Sequence, residues 1–413
     1  MNCFFQVFLY SFIQTKNNQL HMKDVFIVAA HRTPQGSFGG VLASQSAVEL
    51  GTQIVKATVE KSGVPVEAID EIFMGLVVQA NAGQAPARQV AIQAGLGQHV
   101  PATTVNKVCA SGLKAAMFGA QSIQLDQNQV VVAGGMESMT NVPHYLPKAR
   151  YGYGYGNGVL VDGLQRDGLI DVYQTQPMGC FADATAEKYH ITREEQDAFA
   201  IQSYQRAADA WSKGSFEAEV IPVQWTNKKG SLETVTEDEE YKRVNFEKIP
   251  QLKPVFTKNG TVTAANASTI NDGAAALVLA SQEAIDTYQL TPLAKIISYA
   301  DAAQEPEWFT TAPILAAEKA LKRAGLSIEQ MDFFEVNEAF AVVPMAFAKH
   351  FSIPYEKLNI QGGGVAIGHP LGASGARILT TLTHILHRQQ AKYGMVAICN
   401  GGGGASALII ERI

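Results

Sequence analysis

Four residues with reactive or polar chemistry stand where strand-like runs of the sequence end. Cys109 lies in "NKVCASGLKAA", after the strand-like "TTVNKV" and before the helical "GLKAAMFGAQSIQ". At a helix N-terminal turn, backbone N–H groups and the helix dipole stabilise an anion, so the thiol pKa is expected to fall. Ala110, Ser111 and Gly112 are small enough to let a substrate approach. His369 sits among glycines in "GGGVAIGHPLGASGAR", with little core to hide in. A neutral imidazole there can take a thiol proton and so activate a nucleophile. Cys399 ends "MVAIC" and leads into "NGGGGASALII". A phosphate-cradling loop would lead into a helix, whereas this one returns to a strand. Its glycines suit exposed backbone N–H groups that face a developing oxyanion. Asn337, with Glu338 and Phe340, follows the strand-like "FFEV".

Each of these has a plainer reading. A free cysteine is most often a buried structural residue, and Asn337 could be a helix N-cap. His384 and His387 read as residues on a helix surface, and the remaining histidines lie in segments without other catalytic signals. Taken together, two thiols, an imidazole and an amide at four strand ends suggest covalent acyl transfer coupled to proton abstraction.

The elements that must position them alternate. "DVFIVAA" reads as a buried strand, "SAVELGTQIVKATVEKSG" as a helix ended by Gly63, and "VEAIDEIFMGLV" as a turn into another strand. Such β–α–β order predicts a parallel sheet covered by helices. The pattern then recurs. "EKSGVPVEAIDEIFMG" matches "KRAGLSIEQMDFFEVN", which pairs Gly63 with Gly325 and Gly75 with Asn337. "CASGLK" matches "GASGAR", which sets Cys109 opposite Gly372 and Ser111 opposite Ser374, and "VVVAGG" is paired with "MVAICN". Three ordered matches at nearly one offset indicate a duplicated α/β unit. In the second copy "MVAIC" and "SALIIE" form a hairpin, whereas their counterparts "VVVAGG" and "AALVLAS" lie far apart. Residues 141–261 are therefore an insertion, with one good helix, "TREEQDAFAIQSYQRAADAW". The expected division is an N-terminal half of 22–140 plus 262–290, the inserted domain, and a C-terminal half of 291–413.

A length of 413 residues suits two or three domains, and 47% hydrophobic with 17% charged residues describes a chain with ample core. Net charge is −6 and no Lys/Arg run stands out, which disfavours nucleic acid or a membrane as partner. The four cysteines (3, 109, 180 and 399) fit neither zinc-ligand spacing nor a disulfide framework. Residues 1–21 include the apolar "CFFQVFLYSFI", too short to span a bilayer and without basic flank or cleavage site. Met22 reads as the better start, and 1–21 as a disordered or loosely packed extension.

"NKVCASGLKA", "NEAFA", "GGGVAIGHPLGASGAR" and "CNGGGG", in this order, resemble the thiolase family from Met22 to the C-terminus, and "NASTINDGAAA" resembles its coenzyme A-side serine motif. The resemblance implies a five-layered αβαβα core built from two βαβαβαββ units with an inserted loop domain. It implies acyl-CoA C-acetyltransferase activity, that is, reversible Claisen condensation of two acetyl-CoA through an acetyl-cysteine. Cys109 would be the nucleophile, His369 its base, and Cys399 the acid/base for the α-proton. His369 and Asn337 (through a water) would form one oxyanion hole, and the N–H groups of Cys109 and Gly401 the other. Ser268 and Met178 would line the coenzyme A channel and Phe340 the acyl pocket, with Arg243 or Lys242 near the nucleotide. No metal or redox cofactor would be needed. Acyl-CoA partners, a homotetramer (a dimer of dimers) and a cytoplasmic location would follow. One departure stands out: "TQPMGC" carries Pro177 where many members have histidine, which puts the coenzyme A contact there in question. The competing readings are a broader-range degradative 3-ketoacyl-CoA thiolase, a decarboxylating β-ketoacyl synthase, and a non-catalytic acyl-CoA or lipid binder. A second histidine in place of Cys399 would favour the synthase, and loss of a catalytic residue the binder.

Overall fold

The computed structural model describes residues 22–413, so the expectation for residues 1–21 lies outside the described residues. In the first half, β1 (Val25–Arg32), α1 (Ala47–Ser62), β2 (Glu71–Gly75), α2 (Pro86–Gln93), β3 (Ala102–Val105), α3 (Ser111–Gln124) and β4 (Val130–Ser138) precede the insertion. The insertion carries not one helix but two, α4 (Met178–Lys188) and α5 (Arg193–Ser212), and β5 (Asn271–Ser281) then completes the half. The second half holds β6 (Ala294–Ala303), α6 (Ala312–Ala324), β7 (Phe333–Val336), α7 (Val342–Phe351), α8 (Leu371–Arg388), β8 (Tyr393–Asn400) and β9 (Gly404–Arg412).

Local chemistry sets the helix bounds. Ser46 caps α1 in a reciprocal box with Glu49, and Thr192 caps α5 with Glu195 in the same way. Gly63 and Gly325, matched in the repeat, end α1 and α6 with φ of 75° and 66°, where other residues would be strained.

The first half orders its strands β1-β5-β4-β2-β3 and the second β6-β9-β8-β7. The expected parallel pairing is found for the inner β–α–β elements, and the rest of the sheet is antiparallel. β1/β5, β5/β4, β6/β9 and β9/β8 are antiparallel, and only β4/β2, β2/β3 and β8/β7 are parallel. The hairpin read from "MVAIC" and "SALIIE" is the β8/β9 pair, and in the first half the same antiparallel pairing joins β4 to β5 across the insertion. The two sheets meet through only two pairs, Phe26 with Lys295 and Ile27 with Ala294. Even a bulge is duplicated, at Ile27/Ala29 in β1 and Ile296/Ser298 in β6. The ladders also correct one match. Ala274 faces Met136 and Ala405 faces Cys399. Since "GAAAL" and "GASAL" are repeats, Met136 rather than a residue of "VVVAGG" two places away corresponds to Cys399.

Successive strand residues point to opposite faces, and each sheet is covered on both. Leu50, Ile54 and Val90 of α1 and α2 pack on Val132 and Val278. Leu113 and Met117 of α3, with Leu379 and Leu382 of α8, fill the space between Val131 and Leu277 of one sheet and Val396 and Leu408 of the other. Ile314, Leu321 and Phe347 of α6 and α7 cover Phe334 and Ile409. The result is five layers, α-β-α-β-α. In the central layer the two repeat-equivalent helices touch backbone to backbone. A Cβ on Gly112 would lie 2.8 Å from the Ala376 nitrogen, and one on Gly375 would lie 2.4 Å from that of Leu113. This contact brings the start of both helices to one place.

Candidate active site

Cys109 precedes α3 by two residues, rather than lying within its first turn, and is 9% exposed. The turn that carries it is strained. Val108 has φ 47°, a left-handed conformation that β-branched residues rarely adopt. Side chains hold it there. Asn106 Oδ1 accepts the Val108 N–H (2.9 Å), and Ser111 Oγ accepts the Lys107 N–H (2.8 Å) and donates to the Val108 carbonyl (2.5 Å). The expected lowering of the thiol pKa is reversed: burial pushes Cys109 up to about 12, against the opposing pull of the Gly401 N–H and its own N–H. Two backbone donors do not replace the water that the thiolate would lose.

His369 is buried too. Its backbone N–H donates to Asn271 Oδ1 (2.9 Å). Ser374 Oγ gives its one proton to the Pro370 carbonyl (2.8 Å), so at 2.6 Å from His369 Nδ1 it must accept. The proton of the neutral ring therefore sits on Nδ1, and the Nε2 lone pair is left toward Asn337 Nδ2, 3.5 Å away. Burial, with Arg377 nearby, lowers the His369 pKa to about 3. Asn337 is no N-cap. Its N–H is tied to the Ala397 carbonyl (2.9 Å), and the next helix, α7, begins only at Val342. Cys399 lies in β8 opposite Ala405 and is fully buried. Burial, and then the proximity of Cys109, raise its pKa well above the ordinary thiol value. At rest the site therefore holds two thiols and a neutral imidazole.

A cavity of about 660 Å³ leads to these groups. Phe38, Glu240 and Arg243 line it together with Phe256, Ser268, Met178, Phe340 and His369. Met178, Ser268, Phe340, Leu169 and His369 continue into an inner chamber of about 60 Å³ that reaches Cys109 and Gly401 and is lined on its far side by Phe309 and Ala339. The structure thus places Cys109, His369, Gly401, Met178, Ser268 and Phe340 around one chamber. Cys399 and Asn337 do not line the chamber: Cys399 is buried near enough to Cys109 for that thiol to raise its pKa, and Asn337 touches His369. Arg243 lines only the outer cavity, in a 3.8 Å pair with Glu239, whereas Lys242 turns to Glu237. The "NAS" and "NEAFA" loops are joined by Ser268 N–H to Ala339 carbonyl (3.0 Å) and Ala341 N–H to Asn266 carbonyl (2.8 Å). Pro177 caps α4 without a side-chain hydrogen bond, just before Met178. Among the described residues no cluster suited to a metal occurs.

Sequence reasoning missed Ser374 and Asn271, which orient His369, and Leu169 and Phe309, which line the chamber. The Ser111/Ser374 match was the available signal for the first; the apolar lining residues carried none. His384 and His387 are not free surface residues. They are half-buried, with Nε2 at 2.8 Å from the Ala30 carbonyl and 2.6 Å from that of Leu293.

A duplicated five-layer fold with two thiols and a fixed-tautomer histidine at the end of an apolar cavity defines an acyl-transferring enzyme. The comparisons agree. Residues 25–283 match the thiolase N-terminal domain and 290–412 the thiolase C-terminal domain, so the chain belongs to the thiolase family. It is 54% identical over 391 residues to the acetyl-CoA acetyltransferase of Schizosaccharomyces pombe, covering 94% of this chain and 99% of that protein. It is 51% identical to the mitochondrial acetyl-CoA acetyltransferase of Rattus norvegicus, covering 95% and 92%. The crystal structure of Acat5 thiolase from Ascaris suum in complex with coenzyme A aligns with a TM-score of 0.90 at 48% identity, covering 95% of this chain and all of that one. No described helix is long and apolar enough to cross a membrane.

Proposed function

We propose that this thiolase is an acetyl-CoA C-acetyltransferase that interconverts two acetyl-CoA with acetoacetyl-CoA and coenzyme A. The observation that carries this reading is the inner chamber. About 60 Å³ at Cys109, lined by Leu169, Phe309 and Phe340, suits a short acyl group and no long tail. His369 Nε2 takes the Cys109 proton as sulfur attacks the thioester carbonyl, whose oxygen lies toward the Cys109 and Gly401 N–H groups. Cys399 gives its proton to the departing coenzyme A. The resulting thiolate, made strongly basic by burial, removes an α-proton from the second acetyl-CoA. The enolate, held at His369 and Asn337, attacks the acetyl-cysteine, and Cys109 leaves and regains its proton from His369. Charge and protons balance without a metal or redox cofactor. Ser268, Met178 and Arg243 are well placed to hold pantetheine and nucleotide. A cytoplasmic homotetramer is part of the proposal; a relative from Gibberella zeae is named cytosolic.

The test is a thiolysis series over 3-ketoacyl-CoA chain length, with and without chelator. A maximum at four carbons, indifferent to chelation, is expected; a flat profile would overturn the short-chain reading. A second cavity of about 360 Å³ shares Val108, Met178 and Gly401 with the chamber, so a flat profile would mean that longer tails run there, as in a degradative enzyme.

A further inference from the structure

Glu137 is a fully buried carboxylate next to the end of β4, and the reaction above does not use it. It follows Met136, the counterpart of Cys399. Its Oε2 accepts the N–H groups of Val77 (3.0 Å) and Gly372 (2.8 Å), and its Oε1 that of Val78 (3.1 Å). The Val77 carbonyl in turn accepts from Asn106 Nδ2 (3.2 Å), and Asn106 Oδ1 holds the strained Val108 next to Cys109. Gly372 lies in the first turn of α8, whose preceding residues are His369 and Pro370. One carboxylate is therefore joined to the nucleophile's turn on one side and to the histidine's turn on the other, across the boundary between the two halves of the molecule.

We propose that Glu137 is a positioning residue that sets the separation of Cys109 and His369 by holding both turns on a single carboxylate. The residue type follows from the donor count. Three backbone N–H groups converge on it, and a carboxylate is the side chain that accepts on both atoms. A glutamine would turn an NH₂ toward one or more of these donors. The titratable groups facing Glu137 are Asp272 on β5 and Cys109. Burial, opposed by the three N–H donors, brings its pKa up to about 7. Once protonated, the carboxyl loses the charge that strengthens these three bonds and one lone pair is taken by the proton, so the tie loosens as the pH falls through that value. His369, held near 3, does not titrate there.

The inference rests on the acetyl-transfer reading. The experiment measures acetoacetyl-CoA thiolysis by wild type and Glu137→Gln from about pH 6 to pH 8, with near-UV circular dichroism for the folded fraction. For the variant, kcat is expected to fall at least about tenfold per folded molecule while KM changes by no more than about twofold, the pattern of lost transition-state geometry. Wild-type kcat should decline below about pH 7, and the variant's residual kcat should not. A variant that loses activity only in step with its folded fraction, or that keeps the wild-type acid limb, would overturn the proposal. If the variant does not fold, the wild-type profile decides: a flat kcat across this range would overturn it. An inactive wild type would instead remove the acetyl-transfer reading itself.

Discussion

The two copies of the repeat bring equivalent turns to the middle of the molecule, yet only one arrangement of them makes a site. The working set takes Cys109 from the first copy and His369, Cys399 and Asn337 from the second. Exchanging the copies gives Gly372, Asn106, Met136 and Gly75, of which Asn106 is exposed and the other three are packed solid. A Cβ on Gly372 would come within 2.6 Å of the Met136 carbonyl oxygen and 2.8 Å of Glu137 Oε2, and one on Gly75 within 2.7 Å of the Gly112 nitrogen. At Gly401, on the working side, a Cβ would meet nothing nearer than 3.6 Å. The symmetric frame thus supplies two cradles. One is left open to a cavity, while the other is closed by backbone contact and by the carboxylate that ties both turns.

The sharpest way to break this comparison is to exchange function between the cradles. Cys109→Ser should lower turnover about 10⁴-fold or more, whereas Met136→Leu, the matched position to Cys399, should stay within about twofold. Equal losses would mean that both cradles work. Packing gives the next effect. Gly372→Ala should cost about 3 kcal/mol or prevent folding, because overpacking against backbone cannot relax, while Gly401→Ala should cost under about 1 kcal/mol; urea midpoints compare them. The paired serines sharpen the comparison further. Ser374→Ala frees the imidazole to turn over and should cut kcat about a hundredfold per folded molecule, with a lowered Tm because two buried polar groups lose their partner.

The smallest effect is on pH dependence. The unfolded chain protonates His369 near 6.5, but the folded one not until about 3. Acidification across that window therefore favours unfolding, by up to about 1.4 kcal/mol per pH unit from this group. Glu137 acts oppositely, since its raised pKa means stability falls as pH rises from about 4.5 to about 7. His369→Asn should remove about 2 kcal/mol of the acid-side loss between pH 6.5 and pH 5, read from urea midpoints at both values. An unchanged acid slope would mean that His369 is not held neutral by burial.

Much of this was legible because reactive residues stood out at strand ends and because the duplication left matched glycines and serines. The repeat identified Ser374 as the mate of Ser111, but not that its single proton goes to Pro370 and so fixes the histidine tautomer. That depends on two distances. The direction of the Cys109 shift was misread because the helix terminus is visible in sequence and the loss of water around the thiol is not. Glu137 was passed over because a lone glutamate in "VVVAGGMES" shows nothing of the three N–H groups brought to it from β2's end and α8.

The most direct test of the central claim, that two sulfur atoms from opposite halves serve one thioester, is to expose a Cys399→Ser variant to acetyl-CoA and map the digest by mass spectrometry. The account predicts one acetyl group on Cys109, accumulating while no acetoacetyl-CoA forms. Acetylation elsewhere, or product formation at the wild-type rate without residue 399's thiol, would contradict it.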